Sequence, residues 1–211
     1  MTTRGKVFVT AGLVAALVLV AGAESGAVEA TKPERVARRF LAAYGAYDAK
    51  GALKYLAKEG IATGSGITGN SWGTRQEFRR EVAMAKAQRQ RQAVTGCEEQ
   101  GESSGGVALQ CAFDHHEFRS DEIGLGPYHD NHWDLVVQDG KITSAICTRS
   151  YITNGSSAER WEPFQRWVTS AHPEDLQTMY PAGEFGITKE AIRLWDQRIR
   201  EWVAAVKAGA A

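Results

Sequence analysis

The chain has 211 residues, with 25 lysines and arginines against 25 aspartates and glutamates, so its formal net charge is zero. This balance gives no basic surface for a phosphate backbone, and no nucleic-acid partner is expected. The length fits one domain with an appendage. An apolar content of 43% is enough to form a core of ordinary size.

An export signal is predicted at the N-terminus. A short basic stretch precedes an apolar run from Val7 to Val20, and Ala21-Gly22-Ala23 is typical of a cleavage site. We expect cleavage after Ala23 and a secreted or extracytoplasmic protein, in which disulfides survive. The alternative is an uncleaved N-terminal membrane anchor, although the run is shorter than the roughly 20 residues that a span needs. Any membrane contact is expected through this segment alone.

Three helices are predicted after a disordered lead over residues 24–32. Pro33 is suited to the first turn of the first helix, and Asp48 is suited to capping the second. Thr74 and Glu77 have the spacing of a capping box for the third. Residues 61–73 are rich in Gly, Ser and Thr and indicate a loop.

The rest of the chain is organised around three or four antiparallel strands between Arg91 and Tyr151. Because side chains alternate along a strand, Phe113 and His115 share the inner face of the second strand. Asp139-Gly140 is the strongest short hairpin signal in the chain. A two-residue turn there fixes the register of the last two strands. It predicts the pairs Trp133–Ile146, Asn131–Thr148 and His132–Cys147, with Cys147 on the outer face.

A disulfide is predicted between Cys97 and Cys111. The turn between the first two strands is centred near Ser104, which places the two cysteines opposite each other. Facing cysteines in an exported chain favour a disulfide. Two reduced core thiols are the alternative.

The last segment, residues 156–211, predicts a helical extension. Thr188 is suited to capping its final helix, in which Trp195 and Trp202 lie on one apolar stripe. A stripe of this kind indicates packing more than a cofactor site.

The order of these elements resembles the nuclear transport factor 2-like superfamily, also called the SnoaL-like or ketosteroid-isomerase-like fold. The resemblance lies in Phe40-Leu41-Ala42-Ala43-Tyr44 on the first helix, Asp48 at the second, and Asp139-Gly140-Lys141-Ile142 in the sheet. It implies an α+β cone, in which N-terminal helices pack on a curved antiparallel sheet, plus C-terminal helices. The predicted divisions are a signal peptide over 1–23, the lead over 24–32, the cone over 33–155 and the extension over 156–211.

The resemblance also implies a ligand pocket at the open end of the cone and, in many members, a homodimer through the convex face of the sheet. The extension lies outside the family pattern and is expected to cover that face or to cap the cone. Members of the family include isomerases, dehydratases, polyketide cyclases and binding domains without catalysis, so the fold does not decide the function.

The predicted site lies where the inner face of the sheet becomes polar. The candidate catalytic residues are His115, as acid or base near neutral pH, with Asp48 and Asn131 assisting. The candidate pocket residues are Tyr44, Phe113, Trp133 and Thr148. The plain alternatives are a helix cap at Asp48 and satisfied polar groups at His115 and Asn131. No recognised metal spacing or cofactor motif is present, and neither a metal nor a cofactor is expected.

Two functions are predicted. The first is an exported protein that binds a small, largely apolar molecule, with isomerisation, cyclisation or dehydration as its acid–base chemistry if it is catalytic. The second is a non-catalytic accessory or interaction module at the cell surface, which docks through the tryptophans of the extension. A cavity that touches His115 favours the first function, whereas a cone filled by Phe113, Trp133 and Tyr44 counts against it. Trp161, Trp195 and Trp202 exposed together favour the second.

Overall fold

The computed structural model describes residues 32–58 and 64–211. The predicted signal segment, its cleavage after Ala23 and nearly all of the predicted lead lie outside these residues. Within the described ranges, no helix is both long enough and apolar enough to cross a membrane.

Three helices begin the fold, as predicted. They are α1 (Lys32–Gly45), α2 (Ala49–Ala52) and α3 (Arg75–Ala87). Asp48 caps α2 by accepting a hydrogen bond from the backbone N–H of Gly51 at 2.8 Å. Thr74 and Glu77 form the predicted capping box on α3, which satisfies N–H groups that have no partner inside the helix.

Six strands form one open, curved sheet in the part of the chain that the structure describes. They are β1 (Gly64–Ser65), β2 (Ser71–Trp72), β3 (Arg91–Ser103), β4 (Gly106–His116), β5 (Tyr128–Gln138) and β6 (Lys141–Thr148). Their order is β2-β1-β6-β5-β4-β3, and all neighbours are antiparallel except β1 and β6. The predicted α+β class is confirmed.

The predicted loop over residues 61–73 contains β1 and β2, so the loop prediction is wrong for these four residues. Residues 59–63 lie outside the described ranges. Trp72 is buried against Phe78 of α3, with the ring centroids 4.9 Å apart. A side chain at Gly64 would meet the Trp72 ring at 2.3 Å. A strand this short carries too few residues for an alternating pattern to be visible in the sequence.

The β5–β6 hairpin turns at Asp139-Gly140, as predicted, and both residues have positive φ angles of 49° and 73°. The predicted register fails three residues later. Val137 pairs with Ile142, but Val136 pairs with Ser144, which leaves Thr143 as an extra residue on β6. Such a bulge moves every following side chain to the opposite face.

This shift corrects the faces of β6. Trp133 pairs with Cys147 and not with Ile146, and Thr148 pairs with His132 and not with Asn131. Cys147 therefore packs against the core, while Ile146 and Thr148 are exposed. Burial raises the pKa of the Cys147 thiol far above its ordinary value, which keeps it protonated and unreactive.

Cys97 and Cys111 pair across β3 and β4 and form the predicted disulfide, with their Cα atoms 4.0 Å apart. Cys111 faces the core, since it lies on the same side of β4 as the buried residues Leu109 and Phe113. The prediction is confirmed, although the pairing does not follow from the turn alone. Gln100 is an extra residue between the turn and Cys97, and it shifts the register by one so that Cys97 faces Cys111.

The C-terminal extension forms a second hydrophobic core. A single π-helical turn over Ser157–Trp161 leads into α4 (Glu162–Ala171), followed by α5 (Leu176–Met179) and α6 (Lys189–Lys207). Trp195 and Trp202 are fully buried in this core. Met84 of α3 and Phe118, just after β4, belong to the same core. The extension is therefore packed on one end of the cone.

Candidate functional site

A pocket of about 270 Å³ lies where the end of the sheet meets the extension. It is lined by residues from both parts of the chain: Thr68, Gln88, Glu117, Phe118, Arg149, Tyr151, Ile152, Ser157, Arg160, Trp161 and Phe185. Most of the wall is apolar, with a few polar groups gathered in it, as is usual in small-molecule sites.

A buried carboxylate organises the polar part of this pocket. Glu117 follows β4 directly and is 1% exposed. Its Oε2 accepts hydrogen bonds from Arg149 Nη1 at 3.1 Å and from Gln90 Nε2 at 3.0 Å. Its Oε1 forms an ion pair with Arg160 and lies 3.3 Å from Nε2 of His115. One carboxylate thus holds two arginines that come from different parts of the chain.

The charges around Glu117 keep it ionised. Burial alone raises the pKa of a carboxyl group. Here the charge of Arg160, the imidazole of His115 and the charge of Arg149 together hold the pKa of Glu117 far below its ordinary value of 4.5. Glu117 is therefore a fixed negative charge near neutral pH and not a proton donor.

Arg160 reaches the pocket from the π-helical turn before α4. The turn is set by Gly155, with a φ angle of 85°, and by Asn154, whose side chain accepts a hydrogen bond from the backbone N–H of Ser156 at 3.1 Å. The guanidinium of Arg160 lies over the ring of Phe118, 4.5 Å from its centroid. This stacking and the ion pair with Glu117 fix its orientation.

A second buried carboxyl lies behind the pocket wall. Tyr44 donates to Glu81 Oε1 at 2.7 Å, the backbone N–H of Thr68 donates to the same oxygen at 3.1 Å, and the Thr68 hydroxyl donates to Oε2. A side chain at Gly66 would lie 1.8 Å from that carboxyl, so this position needs glycine. Burial raises the pKa of Glu81, while the hydrogen bonds from Thr68 and Tyr44 oppose the shift.

Glu81→Gln is expected to gain stability relative to the wild type as the pH rises. A carboxyl whose pKa is raised in the folded protein contributes stability below its unfolded pKa, and loses it as the pH rises through its folded pKa. The glutamine side chain can accept a hydrogen bond from Tyr44 and donate one to Thr68. The substitution is therefore expected to lower the free energy of unfolding at pH 4 by about 1 kcal/mol or less. We expect that cost to shrink or reverse at pH 8, measured by urea unfolding.

Glu77→Gln is the matched control for this prediction. Hydrogen bonds from the backbone of Gly73 and from Thr74 lower the pKa of Glu77. Its stabilising contribution is present above the unfolded pKa and lost on acidification, so this variant is expected to show the opposite trend. Parallel pH profiles for Glu81→Gln and the wild type would contradict the prediction.

The three predicted catalytic residues do not meet in this pocket. His115 is buried behind Glu117, and Asp48 is an exposed helix cap. Asn131 is buried, and its Nδ2 donates to two backbone carbonyls at 2.8 and 2.9 Å. None of the three lines the pocket. Their catalytic role stays a prediction.

Three of the four predicted pocket residues lie in the core of the cone. Tyr44, Phe113 and Trp133 are at most 2% exposed, and the rings of Tyr44 and Trp133 are 5.2 Å apart. These side chains fill the interior, which counts against the predicted ligand site inside the cone. The open space lies beyond them, where Glu117 meets the extension. Thr148 is exposed on the outer face, because of the bulge at Thr143.

The three charged residues of the pocket were missed by sequence reasoning. Every second side chain of β4 faces inward, and Glu117 is the next inward position after Phe113 and His115. An acidic residue at an inward position was the sign in the sequence that a buried charge lies there. Arg149 lies two residues after Cys147, and the predicted register, which put Cys147 on the outer face, implied the same face for Arg149. Arg160 lies in a helical stretch in which the sequence gives no sign that it is buried.

No protein-family model matches this sequence, and no curated protein matches it. The chain is similar in structure to an NTF2-like protein of unknown function from Cytophaga hutchinsonii, at 12% identity and a TM-score of 0.41, covering 60% of this chain and 96% of that one. It is also similar to a protein described as a candidate polyketide cyclase from Xanthomonas campestris pv. campestris, at 16% identity and a TM-score of 0.43, over 58% and 93% of the two chains.

An uncharacterised cystatin-fold protein from Novosphingobium aromaticivorans is a third similar structure, at 14% identity and a TM-score of 0.38, covering 55% of this chain and 96% of that one. These are structures of the kind that the sequence resemblance predicted. At such identities and TM-scores, no activity or site residue is carried over from them.

Proposed function

We propose that this is an exported protein that binds a small, largely apolar molecule in the pocket between the sheet and the extension. The observation that carries the proposal is the pocket itself, with Phe118, Trp161 and Phe185 in its wall and buried polar groups among its lining. A cavity with apolar walls and a few convergent polar groups suits a small organic ligand. The Cys97–Cys111 disulfide is compatible with the oxidising environment that export implies.

The alternative, an interaction module that docks through its tryptophans, has less support. Trp195 and Trp202 are buried inside the extension and not exposed together. Isomerisation, cyclisation or dehydration by His115 stays a prediction, since His115 does not line the pocket.

A fluorescent probe tests the binding proposal. N-phenylnaphthylamine is neutral and apolar, and its emission rises when it leaves water. We expect it to bind the wild type, and we expect Ser157→Phe to weaken binding at least about tenfold, which corresponds to about 1.4 kcal/mol. The reason is that Ser157 lines the pocket, so a larger side chain there occupies the space of the ligand.

Ala158→Phe is the matched control, since the neighbouring residue is exposed and does not line the pocket. It is expected to bind the probe like the wild type. Equal binding by Ser157→Phe and Ala158→Phe would contradict the proposal. A mass spectrum of the intact protein from its own host tests the predicted cleavage: a chain that begins at Glu24 supports export with cleavage after Ala23, and a chain that retains residues 1–23 favours the uncleaved membrane anchor.

A further inference from the structure

We infer that the pocket takes an organic anion, a carboxylate on an apolar body, and that Arg160 and Gln88 receive its charged end. This inference rests on the proposed function and names the chemical class of the ligand. The side chains that line the pocket include two arginines, Arg149 and Arg160, and one carboxylate, Glu117. The side chains that line the pocket therefore carry one net positive charge.

The surplus charge is accompanied by hydrogen-bond donors that have no acceptor. Arg160 is 3% exposed and Gln88 is 1% exposed. Nε and Nη1 of Arg160, and Nε2 of Gln88, are buried without a hydrogen-bond partner among the described residues. Buried polar groups are nearly always paired, because an unpaired one carries the full cost of leaving water. Three unpaired donors on two residues that line one pocket call for an acceptor inside it.

The rest of each side chain is already held in place. Nη2 of Arg160 is paired with Glu117, and the guanidinium lies over the Phe118 ring. Oε1 of Gln88 accepts from Nε2 of Gln90 at 2.8 Å, which leaves its Nε2 as the free end. The donors are thus fixed before a ligand arrives, so little conformational entropy is lost when it binds.

The apolar wall decides which anion fits. Phe118, Trp161 and Phe185 line the same pocket and suit an aromatic or aliphatic body. A single surplus charge suits a monoanion, and the N–H groups of a guanidinium and of an amide can each donate a hydrogen bond to a carboxylate oxygen. A small aromatic carboxylic acid has both features.

Cinnamate and cinnamamide are the probes that test this inference. They share one apolar body and differ in having a carboxylate or a neutral amide. We expect calorimetry on the wild type at pH 7 to show cinnamate binding at least about tenfold more tightly, because a charge-assisted hydrogen bond is stronger than a neutral one. This comparison does not depend on the folding of any variant.

Gln88→Glu locates the effect. The change keeps the oxygen that accepts from Gln90 and replaces the free Nε2 donor with a negative oxygen. We expect the preference for cinnamate over cinnamamide to disappear in this variant, while cinnamamide binds as in the wild type. Gln165→Glu makes the same charge change on an exposed position of α4 that does not line the pocket, and is expected to keep the full preference.

Equal binding of the two probes by the wild type would overturn the anion inference and leave the proposed binding of an apolar molecule in place. Binding of neither cinnamate, cinnamamide nor N-phenylnaphthylamine would overturn both. A preference for cinnamate that persists in Gln88→Glu would place the anion site outside this pocket and overturn the inference.

Discussion

Glu117→Ala is expected to lower the free energy of unfolding by about 3–5 kcal/mol, the usual cost of removing one partner from a buried ion pair. The side chains of Arg149 and Arg160 are 9% and 4% exposed, and both depend on Glu117 for their charge partner. Without the carboxylate, two positive charges are left buried next to each other. Urea unfolding at pH 7, followed by circular dichroism, measures the loss.

The pH dependence of this loss has a definite sign. Because the pKa of Glu117 is lowered in the folded protein, its contribution is present above its ordinary, unfolded pKa of 4.5 and is lost as the pH falls below that value. The difference between the wild type and Glu117→Ala is therefore expected to be smaller at pH 3.5 than at pH 7. A difference that grows on acidification would contradict this account.

Two further variants separate charge from packing. Asp196→Ala removes an ion pair of α6 with Arg200, in which the two side chains are 35% and 57% exposed, and is expected to cost less than about 1 kcal/mol. Glu117→Leu combined with Arg160→Met replaces the ion pair with apolar groups, and is expected to recover part of the loss seen in Glu117→Ala. A double variant less stable than Glu117→Ala would show that the arginine matters for packing and not for charge.

Trp195→Ala is expected to lower the free energy of unfolding by a similar amount, about 3–5 kcal/mol, which is typical of removing a large aromatic residue from a core. Trp195 is fully buried. Its ring lies within 6.4 Å, centroid to centroid, of five other aromatic rings, those of Phe118, Trp161, Phe164, Tyr180 and Phe185. The cavity left behind would be lined by rings that cannot all move in to fill it.

The matched control for this prediction is Trp167→Ala. Trp167 is half-buried and its nearest ring is that of His172, at 5.2 Å, so a smaller loss is expected. Phe118 joins the end of β4 to the core of the extension, and we therefore expect one unfolding transition for the whole protein in both variants. A loss below about 1 kcal/mol for Trp195→Ala would mean that the extension contributes little to the stability of the fold.

The parts of the fold that follow from local chemistry were predictable from the sequence. A capping box at Thr74, a two-residue turn at Asp139-Gly140 and the pairing of Cys97 with Cys111 each depend on residues close together in the chain. The bulge at Thr143 was missed because the turn was assumed to be followed by regular pairing. The apolar residues Ile142 and Ala145 are three apart, and this break in the alternation was the available signal.

The candidate site was less predictable, since it depends on contacts between distant segments. Glu117 and Arg160 are charged residues that sequence patterns assign to a surface. They can be buried because their opposite charges form an ion pair. That ion pair exists only once the extension packs on the cone. The cone interior was predicted to hold the ligand, but its aromatic side chains are large enough to fill it.

The strand β3 has a further consequence for how molecules of this protein meet each other. It ends the strand order, so among the described residues no strand pairs with its outer side. An open edge of this kind is a template on which another extended chain can add, which is how many proteins aggregate. Two irregularities, at Thr95 and Gln100, interrupt its straight run, and Glu98, Glu99 and Glu102 are exposed along it. The strand that carries the disulfide therefore also carries the features that make self-association through this edge unfavourable.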